Sequence, residues 1–152
     1  MTRAQFQVLI IPYRIASDGE PEYAIAKRSD MDAWQFFSGG GEENEAPIQA
    51  ARREANEEGG IPVDLEFVQL DSIASIPAHN FAAHKEWGQD VYVIPEYSFY
   101  VDVGGALDLS VSCEHTEILW RQYAEADRLL FWDSNRTALW EVNQRITRRL
   151  SR

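Results

Sequence analysis

The chain predicts an α+β fold in which a mixed, curved sheet lies between helices. Two observations carry this: stretches of strand character outnumber helical ones, and the helical patterns are segregated rather than alternating with strands. A third feature organises the rest. From Gly39 to Ile61 (GGGEENEAPIQAARREANEEGGI) a helical pattern is bounded by three glycines in front and by Gly59-Gly60 behind.

In chain order, Gln5 to Ile15 (QFQVLIIPYRI) is rich in β-branched and aromatic residues and predicts a strand, with Pro12 suggesting an edge or a bulge. A turn over Ser17 to Pro21 returns the chain as a second strand, Glu22 to Arg28, completing a hairpin. Ser29 to Ala33 is a loop, and Trp34 to Ser38 a short extended segment leading into a glycine loop. Pro47 suits the first turn of the helix, where its missing N–H is not needed, and the glycine pair suits the stop. Leu65 to Ile76 predicts a strand bulged at Asp71-Ser72. Pro77 to Asp90 has no clean period. Val91 to Val103 predicts a long strand interrupted by Pro95, and Thr116 to Gln122 another. Ala124 to Leu130 predicts a short helix. A last helix starts near Ser134 as cap and carries Leu139, Val142, Ile146 and Leu150 on one stripe.

A length of 152 residues fits one domain, 1–152, with a real core. Hydrophobic content of 45% with 12% aromatic residues marks a globular chain. The formal charge of −11 argues against nucleic-acid polymers and anionic membranes as partners. It leaves small nucleotides open, because metal ions screen phosphates. Cys113 is the only cysteine, so no internal disulfide forms, and it reads as a small core residue. With no 18-residue apolar span and no signal-like amino terminus, the expectation is a soluble, cytoplasmic protein, monomer or homodimer.

At about 100° per residue, the middle helix places Ile48, Ala51 and Ala55 on an inward stripe. Glu54, Glu57 and Glu58 cluster beside it, while Gln49, Arg52 and Asn56 face away. Carboxylates at i, i+3 and i+4 repel. For a pair roughly 6 Å apart at an effective dielectric of about 20 the cost is on the order of 3 kcal/mol. Either some stay protonated or a cation neutralises them. Oxygen-only ligands without Cys or His favour a hard ion, Mg²⁺ or Mn²⁺. The competing reading is a solvated acidic helix held by pairs such as Arg53 with Glu57.

Gly39, five residues, Glu45, seven residues, then Arg53-Glu54-Ala55-Asn56-Glu57-Glu58-Gly59-Gly60-Ile61 resembles the Nudix box, G-x5-E-x7-R-E-U-x-E-E-x-G-U, at every fixed spacing. The resemblance implies an α/β/α sandwich and a hydrolase for a nucleoside diphosphate linked to another group. It implies Glu54, Glu57 and Glu58 as ligands of Mg²⁺, with Mn²⁺ as the alternative. Arg53 and Glu45 would orient them, the Gly39 carbonyl would add an oxygen, and Gly39 and Gly40 would line the substrate. Three departures from the family pattern stand out: Phe37 and Ser38 stand for Pro and Gly, Asn44 replaces a common Gly, and Ala55 is small for U.

Outside the box the chain is most similar to the dATP pyrophosphohydrolase-like subgroup, which includes dihydroneopterin-triphosphate pyrophosphatases. Trp34-Gln35, Glu114-His115 ahead of Trp120, and Trp132 to Arg136 (WDSNR) carry that similarity. It implies release of pyrophosphate from a dATP-like nucleoside triphosphate or a pterin triphosphate. It also makes Glu114 a candidate general base, with Glu54 and Glu117 as competitors. Arg28 is a candidate phosphate contact and Trp34 a candidate stacking residue, each with a structural alternative. His79, Asn80, His84 and Trp87 are candidates for a lid or ring pocket, and His115 for a hydrogen bond beside the site. A zinc site from the two histidines lacks a completing Cys or carboxylate. Rival functions are cleavage of ADP-ribose or a dinucleoside polyphosphate, and nucleotide binding without turnover.

Overall fold

Strand β1 (Arg3–Ile15) is buried without interruption from Val8 to Tyr13, so it cannot be an edge. The computed structural model, which describes residues 2–105 and 107–151, shows why. β1 bonds to three neighbours: antiparallel to β2 (Pro21–Arg28) and β4 (Phe37–Glu42), and parallel to β6 (Val93–Asp102). β3 (Trp34–Gln35) and β7 (His115–Arg121) pair with β2, and β5 (Phe67–Pro77) pairs with β6. The one parallel ladder makes the sheet mixed.

Both prolines sit where a missing N–H is tolerated. On one side of β1, pairing with β4 ends at Ile10 and pairing with β2 begins at Tyr13, so Pro12 falls at the change of partner. The expected edge or bulge is therefore a switch point in a central strand. Pro95 does not interrupt β6; the ladder to β1 starts one residue later, at Glu96.

Helix α1 (Pro47–Gly59) covers one face of the sheet, and α3 (Tyr123–Leu129) and α4 (Asp133–Leu150) cover the other. α2 (His84–Trp87) is a single turn that follows a 3-10 turn at Ala78–Asn80. Alternation along β1 feeds both layers. Val8 and Ile10 pack with Ala50, Ala51 and Ala55 of α1, while Leu9, Ile11 and Tyr13 pack with Leu139, Val142 and Ile146 of α4. Ile48 is only half-buried, and Leu150, expected on the buried stripe, is 50% exposed at the frayed end of α4.

Local chemistry explains the ends of α1. Ala46 offers no capping oxygen, but Gln49 Oε1 reaches back to accept its N–H at 2.7 Å. Gly60 stops the helix with φ 70°, the left-handed region that glycine enters freely. The cap of α4 is Trp132, not Ser134, which lies inside the first turn. The bulge expected at Asp71-Ser72 is present between two ladder segments, and Glu141 of α4 accepts both backbone N–H groups at 2.8 Å.

The glycines expected as a loop instead form the middle of β4: Gly39 pairs with Val8 and Gly40 with Gln7. Beside them, buried Asn135 of α4 accepts the Phe36 N–H at 2.9 Å. That bond ties α4 to the strand pair leading into the glycines. Asn135→Ala leaves a buried N–H without a partner and should cost about 1–3 kcal/mol, read as a lower urea midpoint at unchanged slope.

Candidate active site

A cleft of about 940 Å³ opens on the α4 face of the sheet, at the end where β4 meets α1. Glu54, Glu58, Glu96, Glu114, Arg3, Arg28, Gly39 and Gly40 are among its lining residues. Its walls include Ile76, Pro77 and Phe81 on one side and Trp132 and Asn135 on the other.

Arg53 assembles the acidic end. Its Nε donates to Glu45 Oε2 at 2.8 Å and its Nη2 to Glu45 Oε1 at 3.0 Å, a forked pair. The same Nη2 donates to the Gly40 carbonyl at 2.8 Å, fastening α1 to β4. Nη1 donates to Glu54 Oε1 at 2.8 Å and to Glu57 Oε2 at 3.4 Å. Glu45 Oε1 also accepts the Glu42 N–H at 2.9 Å. The Arg53 hydrogen bond, aided by that N–H and opposed by burial, holds the Glu45 carboxyl below its ordinary range, and the Arg53 pKa is raised in return.

Gly39 must be glycine here, because a Cβ would overlap the Glu54 carboxylate. At Gly40 a Cβ would strike the Arg3 guanidinium. Asn44, at the position where the box commonly has glycine, has φ 68°; asparagine is among the few residues that tolerate this. Ala55 is fully buried among Val8, Ile10, Phe37 and Phe99, where a small side chain suffices. Phe37 packs edge-on against the His115 ring at 5.6 Å, and Ser38 lines the cleft.

Three carboxylates converge from two elements. Glu58 is only 5% exposed, and among the described residues its Oε2 has no hydrogen-bond partner. Burial pushes its pKa up to about 10, with further contributions from the Glu114 carboxylate bonded to it and from Glu54. Glu54 is also raised by burial, although Arg53 opposes the shift. Glu57 behaves differently: its side chain is 58% exposed, it leans on Arg53 and it does not line the cleft.

Among the described residues, no three His, Cys, Asp or Glu side chains are placed to hold a metal ion by themselves. The donors nonetheless fit a hard divalent cation. Mg²⁺ keeps several waters and takes phosphate oxygens, so one or two protein carboxylates are enough. A buried carboxylate oxygen without a partner, next to two further acids, is where such a charge is needed.

The other expected residues are distributed unevenly. Arg28 lines the cleft, its guanidinium forked onto Asp30 at 2.7 and 2.5 Å. Glu117 is exposed on β7 and does not line the cleft. Trp34 packs half-buried against the α4-side core, outside the cleft. Of the 79–87 segment, Asn80 reaches the cleft together with Phe81. His79 is exposed, His84 bonds the Phe81 carbonyl at 2.7 Å, and Trp87 donates to the Arg3 carbonyl at 3.1 Å. His115 is buried beside the site, its Nδ1 without a partner among the described residues, and burial lowers its pKa. Cys113, expected in the core, is exposed at the cleft.

Two lining residues lie outside the set expected from the sequence. Arg3 lies over Gly40, donates to Gln7 Oε1 at 2.7 Å and sits against the Phe81 and Trp87 rings. Glu96, in the middle of β6, is 6% exposed and its Oε1 has no partner among the described residues. A polar residue inside the apolar run VYVIPEYSFYVDV was the one available hint.

A family model described as NUDIX domain matches residues 9–147, and the chain belongs to the Nudix family. A solved Listeria monocytogenes structure assigned as a NUDIX hydrolase is similar throughout. It is 40% identical, with a TM-score of 0.86 over 96% of this chain and 97% of that one. The E. coli dihydroneopterin triphosphate pyrophosphohydrolase shares the fold at 23% identity, with a TM-score of 0.75 over 94% of this chain and 99% of that one. An RNA pyrophosphohydrolase from Halorhodospira halophila is 51% identical over 52 residues, 34% of this chain and 29% of that relative. The match thus spans under a third of that curated relative's length. Among the described residues, no helix is long and apolar enough to cross a membrane.

Burial alone raises the pKa of Glu96 from 4.5 to about 7, so the folded chain binds its proton more tightly than the unfolded chain. The stability this contributes is fully present below about pH 4.5 and is lost as pH rises through about 7. Glu96→Gln, which cannot ionise, should raise Tm at pH 8 and leave it nearly unchanged at pH 5. Melting curves giving equal shifts at both pH values would contradict this.

Proposed function

We propose that the protein is a Mg²⁺-dependent pyrophosphohydrolase that releases pyrophosphate from a dATP-like nucleoside triphosphate or from dihydroneopterin triphosphate. The observation that carries this reading is the cleft that Glu54, Glu58 and Glu114 line together with Arg28 and Arg3.

A divalent ion in that site would neutralise phosphate charge and acidify the attacking water. Glu54 and Glu58, with the Gly39 carbonyl, are the groups that would hold it. Glu57 would have to swing from Arg53 to join them, a change its exposure permits. Arg53 and Glu45 act as positioning residues: the forked pair and the bond to the Gly40 carbonyl fix the helix against the glycine strand. Gly39 and Gly40, having no Cβ, let Glu54 and Arg3 lie against the strand beside the substrate. Arg28 and Arg3 supply positive charge to the polyphosphate.

Water attacks a phosphorus in line with the leaving oxygen. A base must reach that water. Glu114 is in the cleft beside Glu58, whereas Glu54 is engaged by Arg53 and Glu117 lies outside. This supports Glu114 as the base. The −11 charge supports small phosphate esters over an RNA polymer as substrate.

Three outcomes check the reading. Glu57→Gln and Glu58→Gln should each lower turnover by orders of magnitude with circular dichroism unchanged; near-wild-type rates in either would remove that residue from the ligand set. Chelation should abolish pyrophosphate release, and Mg²⁺ or Mn²⁺ should restore it. The substrate panel is dATP, dihydroneopterin triphosphate, ADP-ribose, a dinucleoside polyphosphate and triphosphorylated RNA. Cleavage confined to the last three would replace the proposed substrate class, and binding without turnover would leave a nucleotide sensor.

A further inference from the structure

We propose that Glu96 reads the ring of the substrate, accepting two adjacent N–H donors from a 2-amino-4-oxopyrimidine edge, the edge shared by guanine and pterins. The inference rests on the reading of the cleft as a triphosphate site; of the two substrates proposed there it keeps the pterin and puts guanine in place of adenine.

Position comes first. Gly40 of β4, Gln7 of β1 and Glu96 of β6 are register partners in adjacent strands, so they form one row across the sheet. With strands about 4.8 Å apart, Glu96 stands about 10 Å from the glycine strand. The row thus runs from the phosphate end of the cleft to a carboxylate at its other end, with space between for a sugar or a short chain.

The need for a partner comes second. Glu96 is more than nine-tenths buried, and among the described residues no cation forms an ion pair with it. Its register neighbour Gln7 makes no hydrogen bond to it among the described residues; the Gln7 Oε1 accepts from Arg3 at 2.7 Å. A buried carboxylate without donors is costly, and the cost is offset when a ligand brings them.

Ligand chemistry follows from the surroundings. Ile76, Pro77 and Phe81 supply apolar and aromatic walls for a planar ring. A carboxylate offers only acceptors. Guanine and pterins present a ring N–H beside an exocyclic amino group, which matches two carboxylate oxygens. Adenine presents an amino group beside a ring acceptor, which would oppose one of them. Hypoxanthine keeps the ring N–H and lacks the amino group, so it isolates the second contact.

The test is equilibrium binding of GMP, neopterin, IMP and AMP to the full chain by calorimetry, which needs no turnover. In parallel, kcat/KM is measured for GTP, dihydroneopterin triphosphate, ITP and ATP with Mg²⁺. The expected result is at least about 100-fold preference for GMP or neopterin over IMP and AMP, erased in Glu96→Gln. The tighter of the two preferred ligands identifies the source of the edge. Equal binding of all four ligands by the wild-type chain, which involves no variant, overturns the proposal. So does discrimination that survives in a folded Glu96→Gln. Triphosphates cleaved at equal rates whatever their base would sink this inference and leave the hydrolase intact. Discrimination in binding without cleavage would do the reverse.

Discussion

The forked pair between Arg53 and Glu45 is the interaction on which the acidic end of the cleft depends. One guanidinium is bonded to the loop before α1, to the Gly40 carbonyl on β4, and to two glutamates of its own helix. It spends one positive charge on several negative ones, so it aligns the carboxylates without neutralising them. A lysine could supply the charge but not the fork. The glycine strand is the other half of this arrangement. Only residues without a Cβ let Glu54 and Arg3 lie across the backbone from opposite sides of the sheet.

What results is a cleft with two buried acids that form no ion pair among the described residues. Glu58, at the helix end, is crowded by Glu114 and Glu54. Glu96, at the far end, is buried with its Oε1 meeting no donor among the described residues. The physical difference between them matters. Repulsion among several carboxylates is relieved by a cation, whereas a lone acceptor-only group among apolar walls is relieved by N–H donors. Each end of the cleft thus asks for a different part of a nucleotide-like ligand.

Much of this was legible in the chain. The start and stop of α1, the bulge at Asp71-Ser72 and the buried stripe of α4 follow from helix capping, proline placement and periodicity, all local effects. The box spacing brought out Glu45, Arg53, Glu54 and Glu58, because one helix and its flanking turns set their relation. Pairings over long separations were not legible. Pro12 looked like an edge signal because nothing nearby shows that β1 exchanges β4 for β2 at that residue. The glycines looked like a loop because their partner, β1, lies some thirty residues earlier. Trp34 had the right neighbours in sequence, but strand alternation turned it toward the core.

By itself, then, the sequence determined the family, the helical carboxylate array and the order of elements, since these rest on contacts within a few residues. Tertiary structure alone decided which acids share a cleft: Glu114 beside Glu58, Glu117 outside, Glu57 turned to Arg53. It also brought in Arg3 and Glu96, from the first and sixth strands. Burial and strand register do not exist until the sheet closes, and those two quantities turn ordinary charged residues into the walls of a site.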